Sequence, residues 1–89
     1  MRAIRIIVKG LVQGVGFRYY CYRTAKEYGI SGYAKNLYNG DVEILAQGEE
    51  GVLKDYIKCM KIGSHASRVT TLRIEEAQYD DKMKTFEVY

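Results

Sequence analysis

The chain has 89 residues, 14 Lys plus Arg against 11 Asp plus Glu, and a formal charge of +3. At this length folding buries a little over ~60% of the unfolded chain's surface, which allows one domain with an economical, two-layer core. The mild positive balance suits a small anionic ligand and is too weak to argue for nucleic acid, and no apolar run approaches the ~20 residues of a membrane span.

Strand pattern begins at the first residues, so we expect no signal peptide and a cytoplasmic protein. Cys21 and Cys59 fall inside predicted helices without metal-ligand spacing. They read as small core or half-buried residues of a reducing compartment. No linker, repeat or low-complexity tract divides the chain, so residues 1–89 read as a single domain.

Residues 3–9 alternate, with Ile4, Ile6 and Val8 on one face and Ala3, Arg5, Ile7 and Lys9 on the other; this is strand one. A glycine-rich loop follows. The next helix spans residues 18–28 and is expected to bury Tyr20, Cys21, Thr24, Ala25 and Tyr28, with Gly29 as its stop. Residues 31–37 form strand two, and Asn39-Gly40 signals a hairpin. Strand three, residues 42–47, turns Val42, Ile44 and Ala46 inward. A second helix over residues 49–61 presents Val52, Leu53, Tyr56, Ile57 and Met60 on one face and ends at Gly63. Strand four covers residues 68–79, with Leu72 and Ile74 on one face. A turn at Asp80-Asp81-Lys82 precedes a short last strand, residues 85–88.

The order β-α-β-β-α-β with a short extra strand predicts an α+β fold: a ferredoxin-like, two-layer α/β sandwich. Its antiparallel sheet should run 4-1-3-2, each half a right-handed crossover. Both helices would cover one sheet face. The other stays partly open, and several of the nine tyrosines are expected to line it.

The stretch Gly10-Leu11-Val12-Gln13-Gly14-Val15-Gly16-Phe17-Arg18 joins strand one to helix one. Glycines let a backbone turn through positive φ and bring its N–H groups near a ligand. Those donors, with the free N–H groups of a helix start, suit a phosphate. Arg18 adds a planar, permanently charged fork. A cation in the first turn of a helix faces the positive end of the macrodipole and loses about 0.3–1 kcal/mol. An anion between the two reverses that sign.

The topology brings three segments to one rim: the glycine loop, the hairpin after Asn36, and the return from Lys61 to Ser67. Asn36 reads either as a strand-end residue preparing a turn or as a functional amide. Its carbonyl can accept from a water while its NH2 donates to a substrate oxygen. His65 lies on the same rim but stands alone, and the acidic pairs Glu49-Glu50, Glu75-Glu76 and Asp80-Asp81 read as surface and helix-start charges rather than a metal site. A Walker A loop fails at Val15, and a dinucleotide fingerprint fails at Tyr19. Gly14 to Tyr20 faintly echoes an RNA-binding aromatic motif, but it follows the wrong strand and lacks an aromatic at Val15.

Gly10-x-Val12-Gln13-Gly14-Val15-Gly16-Phe17-Arg18, followed by Gly32-Tyr33-Ala34-Lys35-Asn36, resembles the acylphosphatases. The first signature is close. The second is looser: the family usually has Trp, Val and often Arg where this chain has Tyr33, Ala34 and Lys35, and proline near Tyr38 and at Ser64-His65. These departures touch the edges of the site. The resemblance implies that Arg18 and Asn36 are catalytic, and that Gln13, Gly14, Val15, Gly16, Phe17 and Arg18 bind the phosphoryl group. It implies hydrolysis of a small-molecule acyl phosphate to a carboxylate and inorganic phosphate, with no metal or other cofactor. Phosphate would be product and competitive inhibitor, and the enzyme a monomer with no nucleic-acid or membrane partner.

The chemistry suits those residues. A carboxylate leaving group with a parent pKa of roughly 4 departs without protonation, so no general acid is needed. Phosphoryl transfer through a loose transition state asks mainly for positioning and charge stabilisation. Two other readings use the same features: a non-catalytic module that senses a phosphorylated metabolite, and an RNA-binding sheet whose tyrosines would stack bases.

Overall fold

The computed structural model describes residues 1–89. Strand β1 (Arg2–Leu11) leads to helix α1 (Phe17–Tyr28) and then to the hairpin strands β2 (Ser31–Asn36) and β3 (Val42–Gly48). Helix α2 (Glu50–Ile62), strand β4 (Arg68–Ala77) and the short strand β5 (Phe86–Val88) complete the chain. All five strands form one sheet, in the order β4-β1-β3-β2-β5. β1 is antiparallel to β3 and β4, and β2 to β3, which is the expected 4-1-3-2 arrangement. β5 adds to β2 in parallel, so the finished sheet is mixed.

The alternation in β1 explains the packing. Ile4, Ile6 and Val8 are buried, and each stands beside an inward residue of β3: Ala46, Ile44 and Val42. Ala34 of β2 and Phe86 of β5 continue this layer. Against it α1 lays Phe17, Cys21 and Ala25, and α2 lays Leu53, Tyr56 and Met60. Full burial of one such aliphatic or aromatic side chain contributes about 1.5–3 kcal/mol. The two helices are also tied directly, because the Tyr56 hydroxyl donates to the Cys21 carbonyl oxygen at 2.9 Å.

Helix α1 differs from expectation at two tyrosines. Its buried residues are Phe17, Cys21, Thr24 and Ala25, whereas Tyr20 is half-buried and Tyr28 exposed. Small side chains let the helix lie close to the sheet. Tyr20 then has no room below and lies toward α2, where its hydroxyl donates to the Cys59 carbonyl oxygen at 2.7 Å. Gly29 ends α1 in the left-handed conformation, φ 70°, and the Ile30 N–H closes on the Ala25 carbonyl oxygen at 2.8 Å. Both thiols are free, and burial pushes the Cys21 thiol up.

The open sheet face also departs from expectation. Of the strand tyrosines only Tyr33 stands on it, with the Tyr89 ring 5.7 Å away; Tyr19, Tyr20, Tyr22, Tyr28 and Tyr56 belong to the helices. The face is an ion-pair network instead. Glu43 accepts from Arg5 Nε at 2.9 Å and from the Tyr33 hydroxyl at 3.0 Å, and Arg5 also pairs with Glu75. At its lower end Gln47 is buried because the chain after β4 folds over it: Asp80 N–H donates to Gln47 Oε1 at 2.7 Å.

Candidate active site

The glycine motif divides into two parts with different tasks. Gly10 belongs to β1, not to the loop. The β1–β4 register slips between Lys9 and Gly10, Gly10 has φ 133°, and a Cβ there would stand 2.1 Å from the Arg68 carbonyl oxygen. It is a bulge that lets β4 approach. Gly14 and Gly16 form the loop proper, both left-handed at φ 73° and 76°, with no atom near where a Cβ would be. Backbone conformation, not crowding, therefore demands glycine at these two positions.

Those two turns deliver the chain into α1 with its first N–H groups unused. Gly16 is the N-cap residue and offers no side chain to cap them, and the first turn contains no acid. No backbone N–H of residues 13–19 donates to a protein group; the first to do so is Tyr20, to the Gly16 carbonyl oxygen at 3.1 Å. A helix normally has these donors capped or solvated. Here they share one rim with Arg18, whose guanidinium donates to the carbonyl oxygen of Tyr89. A guanidinium has five N–H donors, so one such bond leaves others free. The Tyr89 N–H is in turn bound to the Ala34 carbonyl oxygen at 2.9 Å, which anchors that contact to β2. A hollow of about 180 Å³ opens between Gly14, Gly16, Arg18 and Val88.

The side chain of Gln13 has a separate use. Its Nε2 donates to the carbonyl oxygens of Leu37 and Asp41, both at 2.8 Å. The loop is thereby clamped to the turn that directly follows Asn36. That turn is itself fixed: Asp41 accepts from Lys9 Nζ at 2.7 Å and from Asn39 Nδ2 at 3.1 Å, and Asn39 Oδ1 accepts from the Asp41 N–H at 3.0 Å. The glycine loop and the hairpin are thus held by hydrogen bonds, not only by proximity. The composition of the motif could not reveal this use of Gln13, because the acceptors are backbone atoms more than twenty residues away.

Asn36 ends β2 in register with Val42 of β3, which in turn pairs Val8 of β1. It lies on the helix-covered face. Its Oδ1 is buried and accepts no hydrogen bond. An unpaired buried acceptor costs about 1–3 kcal/mol, so it needs an explanation. The return from α2 completes the rim: Ser64 Oγ lies 3.5 Å from the Val15 carbonyl oxygen. His65 stands there, exposed. No group of three or more His, Cys, Asp and Glu side chains is arranged to hold a metal ion.

The geometry gives a ferredoxin-like sandwich with a glycine loop whose main-chain N–H groups have no protein partner, a guanidinium in the same helix start, and at the end of β2 an amide oxygen without a partner. Comparison with known proteins gives the particular family. The Acylphosphatase family model matches residues 4–88. The acylphosphatase of Chlorobaculum tepidum is 39% identical over 87 residues, covering 98% of this chain and 95% of that one. That of Archaeoglobus fulgidus is 43% identical over 88 residues, covering 99% and 98%. The crystal structure of the Bacillus subtilis acylphosphatase superposes with a TM-score of 0.95 at 39% identity, covering 100% of this chain and 99% of that one. The chain belongs to the acylphosphatase family.

Proposed function

We propose that the main-chain N–H groups of Gln13, Gly14, Val15, Gly16, Phe17 and Arg18, together with the Arg18 guanidinium, hold the phosphoryl group of a small-molecule acyl phosphate, and that Asn36 orients the attacking water. The family assignment makes the chain a hydrolase of such compounds. The observation that carries the residue roles is the coincidence of unspent donors and one unspent acceptor on one rim: free N–H groups in the loop, and a buried Asn36 Oδ1 with no partner. The donors suit the phosphoryl oxygens. The Asn36 acceptor has no other partner in the fold.

In the reaction, water oxygen forms a bond to phosphorus as the bond from phosphorus to the carboxylate oxygen breaks. The bonding pair leaves with the carboxylate, which needs no proton at neutral pH. The amides and Arg18 neutralise charge on the phosphoryl oxygens. Asn36 cannot take a proton from water, so the water's proton passes to a phosphoryl oxygen. The products are a carboxylate and inorganic phosphate, and the latter fills the same cradle as a competitive inhibitor. Every group in this scheme comes from one chain, which supports a single-domain monomer. The two free thiols support a reducing, cytoplasmic setting.

Loss of ultraviolet absorbance on incubation with benzoyl phosphate tests the assignment. Hydrolysis is expected, with kcat flat across pH 5–8 because the scheme uses no protein base. Phosphate binding without turnover would instead make the chain a sensor of phosphorylated metabolites. A kcat that titrates near neutrality would remove the water-to-phosphate proton transfer.

A further inference from the structure

A second hollow, of about 400 Å³, lies beside the cradle, between the start of α1 and residues 63–66. Gly16 and Tyr19 line both, so the two adjoin at the start of α1. Its wall carries Arg23 one turn along α1, His65 opposite, and Ser64. No carboxylate lines it.

Arg23 is unspent. Like Lys26, Lys58, Lys61, Arg68, Arg73, Lys82 and Lys84, it has no carboxylate partner, but of these it alone lines the hollow. Its only contact of note is with the Tyr19 ring, at 5.9 Å from the centroid. A guanidinium held over an aromatic face keeps its in-plane donors for a ligand. A phosphoryl group held by the loop must leave its acyl group outside, and this hollow is the one that adjoins the loop at Gly16.

Resting on the assignment above, we propose that this hollow is the acyl-group subsite, and that it selects acyl phosphates whose acyl group bears a second anion, a carboxylate or a phosphate. Arg23 supplies the fixed charge and the Tyr19 ring the apolar wall. His65 and Ser64 bound the far side with polar edges. Neither Arg23 nor His65 takes part in the chemical step, so both set kcat/KM between substrates and leave the reaction itself alone.

The test compares benzoyl phosphate with 3-carboxybenzoyl phosphate, which differ by one carboxylate and share an ultraviolet assay. The carboxylated substrate should show a kcat/KM about fivefold higher, the upper range for a partly exposed ion pair, and raising the salt should shrink that ratio. Arg23→Gln should bring the ratio to about one with benzoyl phosphate turnover unchanged, and His65→Ala should lower it less. A ratio near one in the parent enzyme, or a ratio that Arg23→Gln leaves intact, overturns the subsite while the hydrolase assignment stands. Failure to hydrolyse benzoyl phosphate at all overturns both. A matched series of acyl groups ending in phosphate distinguishes the two kinds of anion.

Discussion

The two helices of this fold begin in opposite ways. Helix α2 starts on Glu49 and Glu50, and Glu50 is paired with Arg2 at 3.1 Å and with Lys54 at 3.9 Å. Its positive end is supplied with charge by the chain itself. Helix α1 starts on Gly16, with no capping side chain, no acid in the first turn, and a cation, Arg18, where an anion would be stabilising. Neither helix has a side-chain cap, so the contrast is one of charge: acids at the start of α2, a cation and no acid at the start of α1. The second choice costs stability and leaves the first N–H groups of α1 without a protein partner. In the proposed scheme an anionic substrate supplies the missing charge.

The most direct way to break this contrast is at Arg18. Arg18→Lys keeps the charge but loses the planar fork, and should lower kcat by about 10²–10³-fold while weakening phosphate inhibition. Steady-state kinetics with phosphate as inhibitor reads both, and near-normal turnover would remove Arg18 from the scheme. Asn36→Ala comes next. It should lower kcat by about 10²-fold with phosphate inhibition little changed, since the amide is assigned to water and not to the phosphoryl group. It also removes a buried acceptor with no partner, so thermal stability should hold or rise. A large loss of phosphate affinity would reassign Asn36 to binding.

Gln13→Ala tests whether the open helix start must be clamped. Losing two hydrogen bonds to backbone carbonyls should cost about 1–3 kcal/mol. Turnover should fall about tenfold because loop and hairpin no longer keep their distance. Melting curves and kcat together decide it. Gln13→Glu is the sharper variant, because a carboxylate facing the Leu37 and Asp41 carbonyl oxygens repels them and should be worse than alanine.

Much of this contrast was legible from residue order. The alternation in residues 3–9 indicated which face of β1 meets the helices, and the spacing of Gly14, Gly16 and Arg18 marked a glycine turn into a helix start that carries a cation. What was hidden depended on partners distant in the chain. Gly10 looked like part of the loop, yet it serves β4, a strand that comes nearly sixty residues later. Tyrosines were expected on the open sheet face because their amphipathic rings suit it. The register instead set Arg5 and Lys35 beside Glu43, and ion pairs took that surface. The double use of Gln13, with its backbone in the loop and its side chain in the hairpin, has no local signature.

The gentlest intervention makes α1 resemble α2. Tyr19 is 60% exposed and occupies the third helical position, so Tyr19→Glu displaces little packing. The new carboxylate would lie near the free N–H groups and four residues before Arg23, the favourable order for an ion pair along a helix. Macrodipole and ion pair together should add about 1 kcal/mol, which for a domain of this size raises Tm by about 4–8 °C. The same charge stands beside the cradle and should weaken phosphate inhibition about fivefold. It also engages Arg23, so the preference for a carboxylated acyl group should vanish in this one variant. A rise in Tm with weaker phosphate binding would show that the bare helix start trades stability for substrate. A variant that gained stability and still bound phosphate as before would mean that the donors of α1 are not what holds the anion.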